Sequence, residues 1–185
     1  MSQPAVLQHL YTLFYGGDTG VKLVVARKLF LRYGWELERN SRLTRGLSEL
    51  VRLHEGLKLQ MLAMELDRIC SRCAQKTDGG CCSQAMAAEI DVAQLLLNML
   101  AGVPVSCTQN NGPSCCFLGD KGCIFLLKPV FCLNYICSKI VGKRQGPELL
   151  ILEKQTGRLL QAQTGMEGVL IDFFAERVPA LGCDV

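Results

Sequence analysis

The stretch Leu47–Cys73 reads LSELVRLHEGLKLQMLAMELDRICSRC. Leu59, Leu62, Leu66, Ile69 and Cys73 recur at spacings of three and four, which predicts one long helix with a buried face. No proline interrupts it, and no glycine follows Gly56. Its last turn carries Cys70-Ser-Arg-Cys73, so two thiols stand one turn apart on a common side, at or just beyond the helix end. The reading sets the expected fold class: mainly α, a compact helical domain with an irregular cysteine-rich metal-binding segment built into it.

Toward the N-terminus, Ser2 and Pro4 open a first helix with Leu7, Leu10, Tyr11 and Phe14 on one side. Gly16-Gly17-Asp18 ends it. A second helix runs from about Thr19 to Tyr33, carrying Val21, Val24 and Val25, with Gly34 as a break or bend. Toward the C-terminus, Thr77-Asp78-Gly79-Gly80 forms a turn that delivers Cys81-Cys82. A helix then spans about Ala88 to Ala101 with Ile90, Leu96, Leu97 and Leu100 inward, stopped by Gly102 and Pro104.

From Pro104 to Gly146 the helical period fades into Gly, Pro, Asn and Cys, with one short helix expected near Phe131 to Val141. Pro147 opens a further helix, or Leu149–Leu152 forms a strand. Thr164-Gly-Met-Glu167 fits a capping box for a last helix with Val169, Leu170 and Phe173, ending before Pro179. No repeat and no low-complexity linker divides the chain, so residues 1–185 are expected to form a single domain, with the cysteine-cluster region at 70–137.

Nearly half of the 185 residues are apolar (49%), which excludes a disordered chain. The net charge of +3 makes no general case for nucleic acid. The N-terminus lacks a basic n-region and a small-residue cleavage site, and no run of about 18 uncharged apolar residues occurs. The expectation is a soluble, cytoplasmic protein with no membrane span, open to a protein partner.

Eleven cysteines are the outlier of the composition. A reducing compartment disfavours disulfides, and an odd number cannot pair completely within one chain. Cys107 and Cys183 suit small buried hydrophobes. The other nine, all between positions 70 and 137, do not. Thiolate is the metal-binding form of cysteine, and both tetrahedral zinc and iron–sulfur clusters take four of them from separate segments. Cys70, Cys73, Cys81, Cys82, Cys115, Cys123, Cys132 and Cys137 are the candidate metal ligands. Neighbours in an extended backbone point oppositely, so one member of Cys81-Cys82 and of Cys115-Cys116 is expected to ligate while the other packs or serves a different metal.

These residues resemble a family. Cys81-Cys82, Cys115-Cys116-Phe117-Leu118, Cys123-Ile124-Phe125, Lys128-Pro129 and Cys132-Leu-Asn-Tyr135-Ile-Cys137 look like the CxxCxxCC zinc- or iron-chelating family of YkgJ-type cysteine-cluster proteins. That family has a first motif ending in CC, a C-P-F-L-like segment, a C followed by an I-Y-like pair, an R-P dipeptide and a closing C-R-x-[FY]-x-C. The match covers residues 70 to 137. It departs where seven residues rather than two separate Cys73 from Cys81, and where Lys128 and Leu133 replace arginines.

The resemblance implies a metal site, with Cys82, Cys123, Cys132 and Cys137 as principal ligands and Cys73, Cys81 and Cys115 next. An iron–sulfur cluster is favoured slightly over zinc, because the thiols outnumber one four-ligand zinc site. Flagellin lysine-N-methylase has a related cysteine pattern. That keeps a metal-dependent protein-modifying enzyme or subunit as the alternative to a structural or electron-transfer role.

Other chemistries find little support. His9 and His54 have no ligand or triad context, and neither GxxxxGK[ST] nor a strand-linked GxGxxG is present. Arg39, Arg42 and Arg45, with Arg32 and Arg52, read as a solvated helix face interrupted by Glu36, Glu38 and Glu49. Tyr33 and Trp35 read as core.

Overall fold

The computed structural model describes residues 3–74, 81–107, 114–119, 122–134, 137–142 and 146–177. The expected turn at 77–80 and Cys183 lie outside them. Among the described residues the protein is mainly α.

Helix α1 (Gln3–Tyr15) leads through Gly16 and Gly17 into α2 (Thr19–Arg39), whose first turn is capped by Asp18 accepting from Val21 N at 2.9 Å. Asn40 is a one-residue joint. Its backbone N–H closes α2 onto Leu37 O, and its side chain caps α3 (Ser41–Ala63) by accepting from Arg42 N and Leu43 N. The short α4 (Leu66–Ala74) and α5 (Gln84–Ala88) precede α6 (Val92–Leu100), which Asp91 caps. Two-residue strands β1 (Leu118–Gly119) and β2 (Gly122–Cys123) pair antiparallel with Leu118 opposite Cys123. Then come α7 (Val130–Asn134), α8 (Ser138–Val141) and the long α9 (Pro147–Ala175).

The frame rests on α3 lying antiparallel against α9. Gln60 reaches Glu148 O near one end, and Arg42 pairs with Asp172 near the other. Between them, a Cβ on Gly46 would collide with Met166 Sδ, so a larger residue at that crossing requires the Met166 side chain to move aside. Helix α2 packs on α6 and α3, and α1 packs on α9. Phe14, Tyr33 and Phe174 meet edge-on at 5.6–5.7 Å at the centre of this core. No helix among the described residues is long and apolar enough to cross a membrane.

Several sequence expectations change. The stretch 47–73 is not one helix. It breaks at Glu65, whose φ of 53° is left-handed, and α4 restarts at a new angle. The buried line of α3 is Leu43, Leu50 and Leu57, continued by Met64, while Leu59 and Leu62 are exposed. Leu59 lies two residues from Leu57 and therefore on the opposite side. The same happens in α1, where Leu10 and Phe14 are buried but Leu7 and Tyr11 are exposed, and in α2, where Val21 and Val24 face out.

Gly34 neither breaks nor bends a boundary. It is buried inside α2, held between Tyr33 and Leu37 in the core, and the cost of about 1 kcal/mol for a helical glycine is small beside that burial. Tyr33 is core as expected; Trp35, two residues on, is not. The capping box at Thr164 does not form, nor does the strand at 149–152. Both lie inside α9, because Leu152, Leu159, Met166 and Leu170 keep one continuous face on the core.

Candidate metal centre

The cysteine-rich segment begins with a tight turn. Ser83 N donates to Cys81 O at 3.0 Å, folding the chain about Cys82 and bringing the two neighbouring thiols into a hydrogen bond. The expected divergence of their side chains holds only for extended backbone, and this backbone is not extended. Ser83 then bridges Ser114 in antiparallel fashion, and Cys115 N donates to Cys82 O at 3.0 Å, tying the second segment to the first. Cys115 interacts with Cys82, Cys123 and Cys107, and the buried Cys116 hydrogen-bonds Cys107 as well, so Cys107 adjoins both members of the pair.

The hairpin β1–β2 places Cys123 at the end of the loop that carries Cys115. Phe117 and Phe125 stack at 4.6 Å, both buried, and anchor its two arms on the helices. Backbone N–H groups point at two sulfurs, from Phe117 to Cys115 and from Phe125 to Cys123. Donors so placed favour the thiolate. Pro129 then starts α7, which presents Cys132.

Five thiols from these four segments therefore act on one another. Cys82 is influenced by Cys81, Cys123 and Cys115, and Cys132 by Cys123, Cys115 and Cys81. Burial pushes Cys115 and Cys123 above the ordinary thiol range, and burial followed by the neighbouring sulfurs pushes Cys132 up to about 12. The hydrogen bond from Cys82 draws Cys81 down to about 6 and raises Cys82 itself. Lys128 is the cation of the group. Its charge favours the thiolate at Cys81, Cys123 and Cys132 and disfavours the protonated form of His54 on α3.

Three buried amides hold the irregular segment that carries Lys128. Gln94 Nε2 and Asn98 Nδ2 on α6 donate to Leu127 O at 2.7 and 2.8 Å, and Leu127 N donates to Asn98 Oδ1 at 3.0 Å. Gln163 Nε2 on α9 donates to Lys128 O at 2.9 Å and to Gln94 Oε1 at 3.2 Å. Sequence reasoning missed all three, and also missed His54's proximity to Lys128. Gln94 and Asn98 are four apart inside an otherwise apolar helix, and that was the available signal.

Cys70 is exposed on α4, which packs on α8, and Cys137 is half-buried at the entry to α8. The side chain of Cys73 lies outside what the structure describes. Among the described residues, no three His, Cys, Asp or Glu side chains are grouped so that they would hold a single metal ion. Comparison of the chain with protein-family models, curated proteins and solved structures returns no match. The family resemblance thus rests on residues 70–137 alone.

Proposed function

We propose that this is a metal-binding cysteine-cluster protein, holding an iron–sulfur cluster in preference to zinc through Cys115, Cys123, Cys132 and one or both of Cys81 and Cys82. The supporting observation is the mutual interaction of five thiols from four separate segments, two of them receiving backbone N–H donors and three lying in the field of Lys128. The donor set is all sulfur, which suits zinc and iron–sulfur clusters alike.

Tetrahedral zinc with Zn–S of about 2.3 Å draws its sulfurs to within about 4 Å of one another. The thiols of the segment outnumber one four-ligand zinc site, which favours the larger, polynuclear occupant. Such a group would supply one-electron chemistry or a structural cross-link. The chain's own part is to half-bury Cys82, Cys115 and Cys123 while Cys81 and Cys132 stay exposed, to direct amide donors at Cys115 and Cys123, and to set Lys128 against the charge of the sulfurs. The test is anaerobic purification after expression with ample iron, followed by metal and acid-labile sulfide analysis and a visible spectrum. Brown protein with comparable iron and sulfide is expected. Colourless protein with stoichiometric zinc and no sulfide would assign zinc to the same residues.

A second reading is favoured by the Cys81–Cys82 hydrogen bond: a reactive vicinal thiol pair that works without metal. Metal-free protein in which Cys81 alone is rapidly alkylated at pH 7 would select it.

A further inference from the structure

Helix α2 has a second apolar line that the fold does not use. Val21, Val24, Leu31 and Trp35 are 50%, 52%, 84% and 66% exposed. They recur at spacings of three, seven and four, all on the side opposite Ala26, Leu29, Tyr33 and Leu37. Written as a heptad with Val21 at a, the a and d positions hold Val21, Val24, Lys28, Leu31 and Trp35, and the exposed Glu38 closes the line at the last d. A seam restricted to a and d is the width of one helix against another, narrower than the broad apolar face that lies on a lipid surface.

The flanks decide what covers it. Among the e and g positions beside the seam stand Arg27, Arg32 and Arg39, with Gly20, Val25 and Gly34 at the others and Lys28 within the seam. Arg27 donates to Val105 O at 3.1 Å, so the basic character offered outward rests on Lys28, Arg32 and Arg39. Arg39 stacks over the Trp35 ring at 3.9 Å, so one flank and the seam form a single surface. Beyond Trp35 the surface opens into a groove of about 360 Å³ toward the end of α9, where Arg177 pairs with Glu36 at 3.0 Å. Two copies of α2, parallel or antiparallel, would set these flanking arginines against each other, which disfavours self-pairing.

We infer that the outer face of α2 docks an amphipathic helix of another protein, one with apolar a and d positions flanked by glutamate or aspartate. Trp35 and Leu31 are its anchors, because buried tryptophan dominates interface energies and Leu31 stands at the middle of the seam. The basic flanks set orientation and exclude basic helices.

Trp35 is the chain's one tryptophan, so its emission reports the surface directly. The probe is a designed helical peptide of about three heptads, leucine at a and d and glutamate at e and g. Its lysine-flanked counterpart and phosphatidylserine vesicles are separate arms. With the full chain, the glutamate peptide is expected to blue-shift Trp35 emission saturably, with weaker binding in high salt. Leu31→Asp should weaken binding by about tenfold or more, and a double Arg32→Glu, Arg39→Glu variant should switch preference to the lysine peptide. Both variants change exposed positions, and unchanged thermal melting confirms that they fold.

No saturable response to the glutamate peptide, or one indifferent to Leu31→Asp, overturns the inference. So does a response to vesicles alone, which would assign the face to an anionic membrane. Self-association abolished by Leu31→Asp would assign it to a second copy and overturn it equally.

Discussion

The helical frame and the cysteine-rich lobe are ordered by different physics. In the frame, α2, α3 and α6 are capped by Asp18, Asn40 and Asp91, the long helices keep continuous buried lines, and α3 and α9 hold each other along most of their length. In the lobe, the strands are two residues long and the helices are single turns. The chain is held instead by isolated backbone bonds, one aromatic pair and the three amides from α6 and α9. Periodic burial tolerates local flaws, as Gly34 and Gly157 inside long helices show. Point-to-point anchoring does not, because each polar group it uses is buried and has few substitutes.

The contrast breaks most sharply at its apolar centre. Phe174→Ala removes a fully buried ring that meets Phe14 and Tyr33, and should cost about 3–5 kcal/mol in urea unfolding, with all helices melting together. Asn98→Ala should cost less globally, about 2 kcal/mol, because it strips the buried Leu127 N–H of its acceptor. Its signature is local. Hydrogen exchange should accelerate across residues 122–134 and stay unchanged in α3. Uniform acceleration would show that frame and lobe are one cooperative unit.

Electrostatics sharpen the comparison within the frame. Burial, with Glu167 second among the effects that raise it, pushes the Asp91 carboxyl up to about 6, against the pull of Lys22 and the N–H bond from Gln94. A raised carboxyl binds its proton more tightly folded than unfolded, so its contribution is fully present below the unfolded value near 3.8 and is lost as pH rises through 6. Asp91→Asn keeps an N-cap oxygen for Gln94 N and removes the charge. It should stabilise the protein by about 1–2 kcal/mol at pH 7 and by little at pH 4. An equal gain at both values would mean that the effect is packing rather than ionisation.

The smallest stability change and the most specific binding change belong to the lobe. Cys123→Ser should shift apo-protein unfolding by less than about 1 kcal/mol while abolishing most bound metal, whereas Cys107→Ser should leave metal content intact. Metal retained in full by Cys123→Ser would remove that residue from the ligand set.

How much of this was legible follows the same division. Helix content and most element positions were readable, because Leu10, Phe14, Leu66, Leu96, Leu97 and Phe173 belong to periodic apolar runs. Which apolar line faces inward was not readable where a helix carries two. Val21 and Val24 have the composition of core, and only the neighbours α6 and α3 decide that Leu23 and Ala26 take that place. In the lobe, cysteine spacing pointed to Cys81, Cys82, Cys115, Cys123 and Cys132 without showing their grouping. The turn about Cys82 depends on backbone bonds to Ser83 and Cys115 that leave no periodic trace. The amides were hidden for a related reason: Asn98 and Gln163 act on carbonyls 29 and 35 residues away in sequence.

Glu65 has a mechanical consequence. If it had kept a right-handed backbone, α3 and α4 would be one straight rod, and Cys70 would project about 10 Å beyond Ala63 along the α3 axis. One left-handed residue turns the rod into an elbow, with α4 as its forearm against α8. The reach of the Cys70–Cys73 pair is then set by two torsion angles, and α4, about 13 Å long, amplifies any change in them into ångströms at its far end. Glycine at that joint would sit there at ease but would also swing, while an ordinary side chain accepts a cost of about 1 kcal/mol and holds the angle.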